Sequence, residues 1–180
     1  MSQMNDDASA GADAVDALFS ATYRELRQLA RARLRSGGRN TLLDTTALVH
    51  ESYLRLSRAG DVQFPDRPRF LVYAGRVMRS VIVDFARQRL AERRGGDAAH
   101  VTFTVQLADG GAAGDAEILR VHAALDELAK VDERMAKVVE MRYFGGLTEV
   151  EIAEALGVTD RTVRRDWERA RLLLAQMLGH

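Results

Sequence analysis

Residues 147–174 read "LTEVEIAEALGVTDRTVRRDWERARLLL", and the fold turns on how this stretch is punctuated. Thr148 and Glu151 precede an apolar-periodic run at the spacing of a capping box. In that motif the hydroxyl and the carboxylate each satisfy an amide that a helix leaves exposed. Ala153, Gly157 and Val163 then fall at relative positions 0, +4 and +10. A small residue lets two helices approach, a glycine takes the left-handed conformation of a tight turn, and an aliphatic residue seats the second helix on the first. The spacing predicts a helix-turn-helix.

Thr159 is the expected N-cap of the second helix, and Asp160 suits its positive end. Val163, Trp167, Ala170 and Leu174 share a face and form the predicted inward stripe, which makes Trp167 a core residue rather than a base-stacking one. The remaining face carries Arg161, Thr162, Arg164, Arg165, Glu168 and Arg169, with Arg171 further on. These are donors at the end of the helix that would enter a major groove. A charge run alone describes a solvated helix; joined to the capping box, the turn and the spacing, it describes a reading head for DNA.

Working toward the N-terminus, "DERMAKVVEMRYF" (132–144) predicts a helix capped by Asp132 and stopped by Gly145 and Gly146, after a helical "EILRVHAALDELAKV" (117–131). The preceding segment is rich in Gly, Ala and Asp, and its one strand-like piece, "VTFTVQL" (101–107), has no partner strand. Residues 96–116 are therefore expected to be a linker. Upstream, "DAVDALFSATYRELRQLARARL" (13–34) spaces Val15, Leu18, Phe19, Leu26, Leu29 and Ala30 helically, and "GGRN" (37–40) stops it.

"LDTTALVHESYLRL" (43–56) predicts a helix capped by Asp44 or Thr45, with Val49, Tyr53 and Leu56 as a stripe and Glu51–Arg55 as an i,i+4 pair. Pro65 and Pro68 mark a loop before "RFLVYAGRVMRSVIVDFARQRLAERR" (69–94), a basic helix. The expected fold is all-α: two small helical domains, 13–95 and 117–178, joined by a flexible linker, with residues 1–12 as a disordered tail.

The chain is neutral overall, but the charge is unevenly placed. Residues 13–95 carry sixteen arginines against nine acids, and residues 96–180 carry ten bases against fifteen acids. Absence of cysteine excludes disulfides, thiolate metal sites and a cysteine nucleophile. His50, His100, His122 and His180 lie far apart, and no phosphate loop, zinc spacing or nucleophile elbow occurs. An enzyme is not expected, nor a metal or cofactor. The acidic, small-residue N-terminus lacks a signal-peptide pattern, and no apolar run nears the roughly 18 residues of a membrane span. A cytoplasmic protein without a membrane partner is expected.

Residues 124–171, "ALDELAKVDERMAKVVEMRYFGGLTEVEIAEALGVTDRTVRRDWERAR", resemble region 4 of extracytoplasmic-function (ECF) sigma factors, the module that binds the −35 promoter element. "ALVHESYLRL" (47–56) resembles their region 2.2, and "FLVYAGRVMRSVIVDFARQR" (70–89) their regions 2.3 and 2.4. The order and spacing agree over most of residues 13–178. The resemblance implies a two-domain bacterial initiation factor whose partners are core RNA polymerase and promoter DNA, with region 2 docking on the clamp helices of the largest subunit. It assigns Arg161, Thr162, Arg164, Arg165, Glu168 and Arg169 to the −35 element and Arg76, Arg79, Ser80, Arg87 and Arg89 to the −10 element. Asp44, Leu48, Glu51 and Arg55 become polymerase-binding residues. Phe70 and Tyr73 are candidates to stack on an opened strand, with a core role the equal alternative.

Two departures from the family pattern stand out. Ser80 occupies a place where many members have Asn, and Tyr73 one where many have Trp; a short hydroxyl cannot make the paired contacts of Asn to a base. In region 2.2 many members read like "DAEDLVQE", whereas residues 44–51 here read "DTTALVHE", with Thr46 and Ala47 at often-acidic positions that face basic residues of polymerase. Losing such charges weakens docking. Thr45 and Thr46 are therefore candidate phosphorylation sites for a Ser/Thr kinase, the bland alternative being that threonine only caps the helix. An anti-sigma factor is the other candidate regulatory partner. The competing functional class is a helix-turn-helix regulator that binds duplex operators without core polymerase.

Overall fold

In a computed structural model the chain is described over residues 3–36, 43–58, 64–94 and 111–179. Those residues form helices α1 (Gln3–Ser36), α2 (Thr45–Arg58), α3 (Arg67–Arg94), α4 (Gly111–Val131), α5 (Glu133–Val139), α6 (Glu149–Leu156) and α7 (Asp160–Leu178), with a π-helical turn, Glu140–Phe144, after α5. The chain is all-α among the described residues. The strand-like "VTFTVQL" and the "GGRN" stop lie outside them.

Two helices begin earlier than the composition suggests. Helix α1 starts at Gln3, inside the stretch expected to be a disordered tail. Helix α4 starts at Gly111, inside the stretch expected to be linker, and Asp115 in its first turns meets Arg89 and Arg93 of α3.

Helices α1, α2 and α3 pack around Leu26, Leu48, Val49, Phe70 and Met78. That cluster continues into Val138, Leu147, Ile152 and Val163 of the C-terminal helices. A second cluster, built on Leu125, Leu128, Met135 and Ala170, joins α4, α5 and α7. Trp167 packs against both, half-buried, in agreement with its expected core role. Full burial of each large apolar side chain is worth about 1.5–3 kcal/mol. Phe70 is completely buried, so it presents no face for stacking on a base; Tyr73 stays half-buried beside Phe64, ring centroids 5.2 Å apart.

Local chemistry sets the helix ends. Asp44 caps α2, its Oδ1 accepting from the Ala47 amide at 2.7 Å, which decides between Asp44 and Thr45. Asp132 caps α5 through the Met135 amide at 3.0 Å. The π-helical turn was not evident from the sequence. It closes with the Gly145 amide donating to the Glu140 carbonyl and the Leu147 amide to that of Met141, and Gly146 takes a φ of +66°. This turn brings the Phe144 carbonyl so close to Gly75 of α3 that any β-carbon at Gly75 would overlap it.

The capping box of α6 is formed as expected. The Thr148 amide donates to Glu151 Oε2 at 2.8 Å, and the Glu151 amide to Thr148 Oγ1 at 3.3 Å. The Thr148 amide holds the Glu151 carboxyl below the usual carboxylate range, helped by the Thr148 hydroxyl and by Arg67. Such a group stabilises the fold above its unfolded pKa, and that contribution is lost as pH falls through the lower folded value. Thr148→Ala should cost about 1 kcal/mol in urea unfolding at neutral pH. Glu151→Gln should lower the melting temperature at pH 7 and differ little from wild type at about pH 3.

Candidate nucleic-acid interface

The turn between α6 and α7 has the geometry its spacing demands. Gly157 adopts φ +65°, ψ +36°, while Ala153 and Val163 are buried between the helices. No atom lies near a hypothetical β-carbon at Gly157, so the glycine is needed for its backbone and not for space. Thr159 caps α7 by accepting from the Thr162 amide at 3.2 Å, and the Asp160 carboxylate accepts from the Arg161 amide at 2.8 Å.

Arg161, Arg164, Arg165, Glu168 and Arg169 are exposed along α7, and Thr162 is half-buried with its hydroxyl 3.0 Å from that of Thr159. Glu149 at the start of α6 binds both Arg164 (3.1 Å) and Arg142 (2.8 Å). Those guanidiniums, Arg142 first, hold its carboxyl below the ordinary range. Arg142 in turn lies 4.7 Å from the centre of the Trp167 ring. These contacts tie α7 to the start of α6 and to the π-helical turn.

One residue of this support escaped the sequence analysis. Asp166 is only 1 % exposed and accepts from Arg134 Nε of α5 at 2.6 Å, with Arg165 3.7 Å from its other oxygen. It lies three positions after Val163, on the inward stripe. A carboxylate on an apolar stripe was the available signal that a cation waits on a neighbouring helix.

The α2–α3 side divides the remaining expected residues. Asp44 and Thr46 are exposed, and Thr45, Glu51 and Arg55 half-buried. Arg55 donates to Asp84 at 2.8 Å and to Ser80 at 3.1 Å, and reaches Glu51 at 3.4 Å. Arg55, Glu51 and Ser80 thus form one cluster beside a groove of about 660 Å³ lined by Asp44, Ala47, His50 and Phe85. Leu48 belongs to the core, completely buried where the apolar face of α2 meets its neighbours, and cannot itself meet a partner in this arrangement.

The arginines of α3 are not equivalent. Arg87 is exposed, 3.8 Å from Asp84. Arg76 pairs with Glu140 at 2.6 Å, and Arg79 binds Glu140 (3.2 Å), Asp126 (2.8 Å) and the ring and carbonyl of His122. Arg89 is buried against Asp115 at 3.4 Å, the side chains being 8 % and 4 % exposed. Burial, then the neighbouring Arg79, pushes the His122 ring below its ordinary pKa, which suits a neutral imidazole facing a guanidinium. Of the set expected at the −10 element, Arg76, Ser80 and Arg87 are exposed, Arg79 is half-buried and Arg89 buried, and Arg76, Arg79 and Arg89 pair with carboxylates of later elements.

Capping box, left-handed glycine and an outward row of arginines define a DNA-binding protein of the helix-turn-helix class. The family model described as ECF sigma factor matches residues 2–180, so this chain belongs to the ECF sigma factor family and acts as a sigma factor in transcription initiation. Such factors bind core RNA polymerase and promoter DNA and are not enzymes. No curated protein and no solved structure matches the chain. Among the described residues no helix is long and apolar enough to cross a membrane.

Removing Arg134 would leave the Asp166 carboxylate buried without its closest cation. Arg134→Ala should lower the melting temperature by several degrees and weaken −35 DNA binding without altering any residue of the outer face of α7. Differential scanning calorimetry and a −35 duplex titration check both effects.

Proposed function

We propose that residues 13–95 serve as sigma region 2 and residues 117–178 as region 4, joined by a linker over 96–116. In this assignment α7 reads the −35 element through Arg161, Thr162, Arg164, Arg165, Glu168 and Arg169, α3 meets the −10 element, and the groove beside α2 docks on core polymerase. The observation that carries it is the outer face of α7, a row of exposed cations on a helix capped by Thr159 and paired with α6 through Arg164. Arginines at the N-terminal part of a helix-turn-helix's second helix are placed to meet base edges in the major groove.

Phosphorylation of Thr45 or Thr46 by a Ser/Thr kinase is proposed as the control of docking. Two features support it. Asp44 already supplies the cap, so neither threonine hydroxyl is required for that purpose. The first turn of α2 carries no acid, and a phosphate there would meet both the positive end of the helix and the basic surface of polymerase.

Run-off transcription with purified core polymerase tests the whole assignment: a promoter-specific transcript should appear only with this protein. Specific duplex binding by the chain alone, with no transcript whether or not it is phosphorylated, would favour the operator-binding regulator instead. Thr46→Glu should strengthen binding to core polymerase in a pull-down or titration, and Thr46→Ala should not. Equal binding by both variants removes the switch. Arg165→Ala should lose about 1–3 kcal/mol of discrimination at particular −35 positions. A uniform loss across sequences would make Arg165 a phosphate contact.

A further inference from the structure

The carboxylate of Glu149 stands between two guanidiniums and gives one oxygen to each. Its Oε1 accepts from Arg142 Nη1 at 2.8 Å, and its Oε2 accepts from both Nε and Nη2 of Arg164, at 3.2 and 3.1 Å. Arg142 is itself held over the ring of Trp167. These contacts close a circuit. Arg164 and Trp167 lie one turn apart on α7, and the path between their side chains runs through the π-helical turn and the first residue of α6.

Which edge of Arg164 is taken decides what remains of it. A guanidinium carries five N–H donors in one plane. Glu149 occupies the edge made by Nε and Nη2, and the end-on fork of Nη1 and Nη2 keeps hydrogens that no acceptor meets among the described residues. The Arg164 side chain is 64 % exposed, against 26 % for the carboxylate behind it, so the fork points where a ligand can reach it. Two parallel donors of this kind match O6 and N7 of guanine in the major groove. Arg165, the next residue, comes only within 3.7 Å of Asp166, too far for a hydrogen bond.

Given the assignment of α7 to the −35 element, on which this rests, we infer that Glu149 is a positioning residue for base readout. It presents the Arg164 fork end-on to a guanine, and Arg142, seated on Trp167, keeps the carboxylate in place. A free arginine loses rotamer freedom when it binds; Arg164 has given up part of that freedom before DNA arrives. The acid has the opposite effect on general affinity, because a carboxylate beside the DNA-facing side repels phosphates. One residue thus sharpens discrimination while weakening non-specific binding, two effects that a purely structural clasp does not separate.

Holoenzyme assembled from core polymerase and each full-length variant, selecting from a duplex library randomised over the −35 element, tests the role. Wild type should prefer guanine at one position. Arg164→Lys keeps the charge but lacks the fork, and should lower that preference roughly tenfold. Glu149→Gln should lower it several-fold at the same position and nowhere else, while tightening binding of the protein to a mixed-sequence duplex at low salt. Added to Arg164→Lys, Glu149→Gln should change selectivity no further. Arg142→Gln, which removes only the anchor of the carboxylate, should weaken the same preference to a lesser degree. Helix content by circular dichroism should be retained throughout. Guanine preference that survives both Glu149→Gln and Arg142→Gln would overturn the positioning role and leave the −35 assignment standing. An equal loss at every position would make Glu149 a structural support and overturn the role as well. If Arg164→Lys alters no position, Arg164 is not the reader and the inference fails. A wild-type holoenzyme without preference at any −35 position would overturn the assignment of α7 itself.

Discussion

Much of the arrangement depends on a single guanidinium. Arg79 of α3 receives a carboxylate from the π-helical turn, a carboxylate and an imidazole from α4, and the ring of Phe144 5.7 Å from its carbon. Its two terminal nitrogens are met by these partners while Nε is buried without one, so removing a partner leaves a poorly solvated cation still less compensated. The contact thus joins α3, α4 and the π-helical turn through one side chain.

The C-terminal half is stabilised differently. Helix α7 is positioned by short-range chemistry: the Thr148–Glu151 box, the left-handed Gly157, the Thr159 cap, and two ion pairs that reach across helices, Glu149–Arg164 and Asp166–Arg134. Each restricts α7 in a different degree of freedom. The outer arginines consequently project from a helix held at its start and against its neighbours. Helix α2 presents the opposite design, with one cap, no acid in its first turn and two threonines at its positive end.

How much could be read beforehand follows the range of the interactions involved. The helix-turn-helix was legible almost residue by residue, because caps, a left-handed glycine and a seating aliphatic are decided within a dozen positions. The all-α fold and the family resemblance followed from periodicity and motif order. The destination of buried polar groups was not legible. Arg89 and Arg76 look alike in the sequence, yet one is buried with Asp115 and the other reaches Glu140, 64 residues away. Leu48 was expected at a polymerase-facing surface and lies in the core instead, since periodicity tells which residues share a face but not which face a neighbour covers. The π-helical turn carries no composition signal at all, although it sets the distance between α3 and the C-terminal half.

The central claim is that the chain works as a sigma factor, acting on promoter DNA together with core polymerase and not alone. Anisotropy of a labelled promoter duplex should report sequence-specific binding only when this protein and core polymerase are both present. Equally tight specific binding by the protein alone, unchanged by core polymerase, would contradict the account.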